Sequence, residues 1–136
     1  MYKLKRTSFS TDKLELKRNN IKPGNFVLHP KLSRRTGKIS ENVFFTSLIL
    51  DVQSTDEKPF PVNLFVAFKA VFEFSEIDND LEIDNFLKTQ AVHIMYPYLR
   101  SIVTNLTSTA MMPPIILPIV DVSKLFKDNN DSILIN

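Results

Sequence analysis

A chain of 136 residues with 43% hydrophobic and 24% charged residues has the size and composition of one globular domain (1–136) with one core. It holds 11 Phe and 4 Met but no Cys and only two glycines, Gly24 and Gly37, which excludes a disulfide framework, a zinc knuckle, a thiol nucleophile and a phosphate-cradling glycine loop. The net charge of +2 hides an asymmetry: residues 1–38 carry 11 Lys/Arg and 2 acids, whereas residues 39–136 carry 6 and 13.

In chain order, Tyr2 to Lys17 alternates in two parts and predicts a half-buried strand, broken or bulged between Thr7 and Asp12. Pro23-Gly24-Asn25 is a turn, and Phe26 to Leu32, interrupted by Pro30, reads as an edge strand or loop. Gly37 and its polar neighbours mark Arg34 to Asn42 as a second turn. Val43 to Ser54 is a β-branched and aromatic strand, closed by a polar turn at 54–58. In Phe60 to Phe74, Leu64, Val66, Phe68, Ala70, Phe72 and Phe74 share one face, and Phe65, Ala67, Lys69, Val71 and Glu73 share the other. With both faces mostly apolar, a helix is expected over one and a second subunit over the other.

An acidic connector from Glu76 to Asp84 leads into a helix expected over Asn85 to Met111. Its stripe is Val92, Met95, Tyr96, Leu99, Val103 and Leu106, and Pro97 predicts a kink or restart. Pro113, Pro114 and Pro118 force an extended segment holding Ile115, Ile116, Leu117 and Ile119. Asp121 or Ser123 is placed to cap a short helix around Lys124 to Lys127, before a polar tail that turns apolar at Ile133 to Ile135.

Catalytic constellations are not evident. His29 and His93 lie far apart in sequence. Asp78, Asp80, Glu82 and Asp84 alternate like a calcium loop, but Ile83 stands where glycine is needed and Thr89 where a bidentate glutamate is needed. No enzyme, metal or cofactor is expected. The apolar runs 43–50 and 110–120 are too short to span a bilayer, and the basic start leads into no signal-peptide core. A cytoplasmic protein without stable membrane insertion is expected. Met111 and Met112 beside the proline-braced Ile/Leu segment offer adaptable thioethers next to a rigid apolar strip. Together with the two-faced strand, that strip points to an oligomer with hydrophobic grooves. The basic N-terminal segment is expected to pair with the acidic remainder within the fold or across a subunit contact; a nucleic-acid-binding module using that segment is the competing reading.

From Ile94-Met95-Tyr96-Pro97-Tyr98-Leu99-Arg100 through Ile102, Val103 and Leu106, the sequence resembles the SecB family of protein-export chaperones. Pro113, Ile115, Leu117, Pro118 and Ile119 resemble the family's Pro-x-Leu-x-Leu-x-Pro-Val stretch, and Val122 to Phe126 its following short helix. Tyr2 to Lys17, Val43 to Ser54 and Phe60 to Phe74 resemble its strands, with Val71-Phe72 at an Ile-Phe pair.

The resemblance implies an α+β fold: a four-stranded antiparallel sheet with a long Pro-interrupted helix packed on one face. It implies a homotetramer, a dimer of dimers, with the helix bearing Val92, Met95, Tyr96, Leu99, Val103 and Leu106 as the oligomer helix. It implies grooves that bind unfolded preproteins without ATP, lined by Phe26, Phe72, Met112, Ile115, Leu117 and Phe126, with an antitoxin as the competing client class. Ala110 stands where the family usually has a helix-ending glycine, and Met112 where it has Phe. Classical members dock the SecA motor ATPase through sheet acids. Glu15 resembles one of these, while Thr11 and Phe65 occupy two other such positions.

Overall fold

The computed structural model describes residues 1–126 and 131–134. Strands β1 (Tyr2–Arg18), β2 (Lys31–Ser40), β3 (Val43–Val52), β4 (Val62–Ile77) and β5 (Ser132–Leu134) form one antiparallel sheet in the order β1-β4-β3-β2-β5. The sheet therefore has five strands where four are expected. The additional one is a three-residue strand that pairs with the outer edge of β2. Ile135 and Lys127, parts of the expected tail and final helix, lie outside the described residues.

The strand expected at 60–74 is β4. Its even-numbered residues from Val62 to Phe74 are buried and its odd-numbered ones from Asn63 to Glu73 half-buried, the period of a pleated strand with a core on one side. Both helices pack on the even face. The odd face is shielded in part by neighbours on its own sheet: the Lys69 ammonium lies 5.0 Å from the Phe45 ring centroid and that of Lys13 lies 5.3 Å from Phe65. β1 is continuous rather than broken. Register shifts between Lys3 and Arg6 and between Thr11 and Lys13 take up the expected irregularity.

The segment read as a turn over 34–42 is largely strand β2, and the tight connection is confined to Glu41-Asn42, with Asn42 at φ 63°. Gly37 marks a close contact across strands. A Cβ there would lie 2.6 Å from Cε1 of Phe45, its register partner.

Two helices replace the single long one expected. α1 (Asp80–Lys88) begins at Asn79, whose side chain accepts from the Leu81 N–H at 2.8 Å, and carries Asp80 and Glu82 in its positive first turn. α2 (Gln90–Thr109) follows after Thr89. The break falls at Thr89 and not at Pro97. The hydroxyl of Thr46 donates to the Leu87 carbonyl and the Arg34 guanidinium to the Lys88 carbonyl, both at 2.8 Å, so the sheet satisfies the end of α1. Pro97 lies on the exposed side of α2, and the helix runs through it.

Phe72 and Phe74 each meet Phe86 edge to face at the centre of the layer between sheet and helices, with Tyr2 against Phe74 and Phe86 closing one side (centroid separations 5.0–5.6 Å). The outer face of α2 carries His93, Ile94, Pro97, Tyr98 and Ser101. Tyr98 lies 4.9 Å from Phe9 of the edge strand β1, and both rings are exposed.

Candidate functional site

The segment that follows α2 is extended and rich in proline, so it lacks both the amide donors and the strand partners that normally satisfy a backbone. Its polar groups are satisfied by α2 instead. The Tyr96 hydroxyl donates to the Pro118 carbonyl at 2.8 Å, Arg100 Nε to the Leu117 carbonyl at 3.0 Å, and the Thr104 hydroxyl to the Ile115 carbonyl at 3.0 Å. The Ile115 N–H donates to Thr107 Oγ1 at 2.9 Å. Residues 96, 100, 104 and 107 recur at helical spacing on one side of α2, which fixes the strip antiparallel to the helix. Met111, at φ 58°, makes the reversal between them.

Once lashed down, the strip divides by depth. Leu117 is fully buried, while Ile115 and Val120 pack half-buried on the core. Ile116 and Ile119 point outward, at 67% and 85% exposure. A clamped backbone thus presents branched apolar side chains to solvent at no further cost in ordering.

Tyr96 also reports on this arrangement. Burial pushes its hydroxyl above the ordinary value of 10.0, against the opposing charge of Arg100. Because the folded chain holds this proton more tightly than the unfolded chain, its stabilisation is complete below pH 10 and lost as pH rises through the higher folded value. Tyr96→Phe is expected to lower stability by about 1–2 kcal/mol, by leaving the Pro118 carbonyl without its donor, and to remove this alkaline component. Urea unfolding at neutral and alkaline pH checks both.

A concavity of ≈ 220 Å³ lies at the end of the sheet, lined by Val27, Val52, Phe60 and Leu134 together with His29, Lys31, Asp51, Gln53, Thr55 and Lys58. The β1–β2 connection supplies Val27 and His29 from above. Phe26 meets the Phe60 ring edge-on at 6.4 Å.

The expected groove residues separate into two groups. Phe26, Met112 and Ile115 are half-buried at surfaces of this kind. Phe72, Leu117 and Phe126 are core residues at 6% exposure or less, and Phe72 lies beneath α1 against Phe86. Phe72 becomes accessible only if the helix moves. The expected oligomer residues need a similar correction. Val92, Met95, Tyr96, Leu99 and Val103 are buried against the chain's own sheet, and Leu106 is half-buried beside them. Helical spacing identifies a buried stripe but not what buries it. Ile94 and Tyr98 are apolar residues of α2 that stand exposed, Tyr98 at the flank beside Phe9.

Glu15 lies on the open face of the sheet and pairs with Lys13 at 2.9 Å. Around it, the strand register gathers Arg6, Lys13, Lys17, Lys31, Arg35 and Lys69 against Glu15, Asp51 and Glu73, a basic surface. Thr11 pairs with Phe68 toward the helices, and only Phe65 shares the face of Glu15. The basic N-terminal segment is divided between β1 and β2, with two strands between them. Part of its charge pairs within the fold, through Lys5 and Arg6 to Glu73 and Arg34 to Asp131. Among the described residues no group of three or more His, Asp and Glu is placed to hold a metal, and no helix is long and apolar enough to cross a membrane. Two functional arrangements were not anticipated from sequence: the Tyr96/Arg100/Thr104/Thr107 ladder, whose signal was polar residues at helical spacing before a proline-rich strip, and Arg34, which gave none.

A family model described as preprotein translocase subunit SecB matches residues 9–132. The chain belongs to the SecB family. Its fold agrees with that of a Mycobacterium tuberculosis SecB-like chaperone, solved in complex with a ChAD peptide from the HigA1 antitoxin. The TM-score is 0.73 at 16% identity, over 88% of this chain and 91% of that one. An uncharacterized protein of Methanocaldococcus jannaschii is 33% identical over 92 residues, 65% of this SecB-family chain. The match spans only 57% of that relative's length.

Proposed function

We propose that this SecB-family chain is an ATP-independent chaperone that holds unfolded polypeptides by their extended apolar segments. The observation that carries this reading is the strip 112–120, whose backbone is clamped by four side chains of α2 while Ile116 and Ile119 stand exposed. Such a surface recognises burial of apolar area and not a particular sequence, at about 25 cal/mol per Å². It binds an unfolded chain and ignores the same protein once folded, without catalysis, nucleotide or metal. Met112 and Ile115 are the expected lining residues that this strip retains, whereas Phe26 lies against Phe60 beside the concavity at the end of the sheet.

The working unit is a homotetramer in the cytoplasm, a dimer of dimers. The 17-residue edge strand β1, with exposed Leu4, Phe9 and Leu14, and the outer face of α2 with Ile94 and Tyr98 supply its contacts. Two client classes follow from the family: preproteins awaiting export and an antitoxin. The basic open face around Glu15 favours the antitoxin role, because an acidic sheet surface for the SecA motor is what export docking requires. The structural neighbour bound to an antitoxin peptide supports the same choice.

The test is gel filtration of the full chain with one protein presented reduced and unfolded or native. Co-elution with the unfolded form alone, without nucleotide, supports holding. Equal retention of both forms, or of neither, contradicts it.

A further inference from the structure

The outer edge of β2 carries a built contact that the strip does not use. Arg34 is a charged residue with only 5% exposure. Its Nη1 donates to the Lys88 carbonyl at 2.8 Å, its guanidinium lies 4.6 Å from the centroid of the Phe126 ring, and its Nε donates to the carboxylate of Asp131 at 3.0 Å. The Arg34 N–H also donates to the Asp131 carbonyl, where β5 joins the sheet. Two residues further on, Ile133 pairs with Leu32 and packs against the core. Asp131 and Ile133 thus enter the same side of the sheet through one strand period, the acid onto Arg34 and the branched side chain beside Leu32.

We infer that the β2 edge is a second client site, specific for extended segments with a carboxylate two residues before a branched apolar side chain, and that β5 is the chain's own occupant of it. The inference rests on the chaperone reading above. Three observations carry it. First, the contact is asymmetric: Arg34 is buried, whereas Asp131 is 59% exposed and lies immediately before a three-residue strand. Removing β5 strips the carboxylate from a buried guanidinium but leaves its other partners in place, and a buried charge without its counter-ion recruits a replacement. Second, β2 continues from Arg35 to Ser40 beyond the point where β5 pairs, and among the described residues no strand pairs with that outer edge. A segment longer than β5 gains further backbone hydrogen bonds there, the mode of binding by strand addition. Third, Lys31 and Arg35 flank this site from the open face of the sheet, opposite Arg34, and add positive charge to the same edge, which favours an acid-bearing segment over a neutral one at long range.

The test uses the full chain and leaves Arg34 intact, because it also holds the end of α1. Asp131→Asn and, separately, Ile133→Ser loosen β5 at positions outside the fixed half of the site, and circular dichroism confirms that the fold is kept. The probes are fluorescein-labelled peptides NNDSILIN, its NNNSILIN variant, and GKTDTIVTG, which shares only the acid-x-isoleucine pattern; binding is read by anisotropy. A tail seated about nine-tenths of the time weakens a competitor about tenfold, so NNDSILIN and GKTDTIVTG are expected to bind both variants about tenfold more tightly than the unsubstituted chain. NNNSILIN is expected to lose about tenfold on the variants, a charge-assisted contact replaced by a neutral one. Equal affinity for variants and parent, or binding indifferent to the acid, overturns the inference. Because these peptides require no unfolded protein, that result is distinct from failure of the chain to co-elute with an unfolded client.

Discussion

Replacing Ile116 and Ile119 together by aspartate is expected to abolish capture of unfolded protein while leaving the fold intact. The two side chains are exposed at 67% and 85%, and the hydrogen bonds that hold the strip use backbone carbonyls and the Ile115 amide. Exposed substitutions of this kind shift stability by about 0.5 kcal/mol or less. Full burial of an isoleucine against a client is worth about 1.5–3 kcal/mol. Losing two such contacts weakens binding by about a hundredfold or more. Titration calorimetry with a reduced, permanently unfolded protein measures this loss, and Ile116→Leu/Ile119→Leu should retain most of the affinity. A double aspartate variant that binds as the parent does would place the client elsewhere.

Phe72→Ala is expected to act in the opposite way, with a large loss of stability. The ring is fully buried at the centre of β4 and meets Phe86 edge-on at 5.0 Å. Truncation loses its transfer free energy and leaves a cavity beneath α1, a cost of about 3–5 kcal/mol. That is a large fraction of the 5–15 kcal/mol typical of a domain. Urea unfolding should show the midpoint falling with little change in slope. At low temperature, where the variant remains folded, client affinity should be close to that of the parent. A small loss of stability with a large loss of binding would instead return Phe72 to the groove.

Local patterns and short-range polar signals account for what the sequence made legible. The alternation from Phe60 to Phe74 became β4, because a central strand packed under helices must repeat every second residue. The stripe from Val92 to Leu106 became the buried side of α2. The prolines at 113, 114 and 118 gave an extended strip, and Asp121 caps a 3-10 turn, Val122–Lys124, that begins two residues earlier than the helix expected there. Contacts between distant residues were not legible. The end of α1 at Thr89 depends on Thr46 and Arg34, which lie 41 and 54 residues from the carbonyls they satisfy. Pro97 was tolerated because its missing amide falls on the exposed side of the helix. Gly37 suggested a turn, but its bare backbone makes room for the Phe45 ring in the adjacent strand. β5 could not be foreseen, since three residues carry little pattern and their anchor, Asp131, finds its partner 97 residues away.

The site calls for the same distinction between pattern and context. The family resemblance located the strip, and burial then decided which of its residues stand exposed. Leu117 and Ile116 are neighbours of nearly equal hydrophobicity, yet one is sealed in the core and the other is exposed. The difference arises from the hydrogen bonds of Arg100 and Thr104 to the Leu117 and Ile115 carbonyls, which fix the rotation of the strip.

Holding of non-native chains on this strip is tested most directly by light scattering from an unfolded, aggregating protein diluted into the full chain without nucleotide. Suppression by the parent chain, lost in Ile116→Asp/Ile119→Asp, is the predicted result. Absence of suppression by the parent, or equal suppression by the double variant, would contradict it.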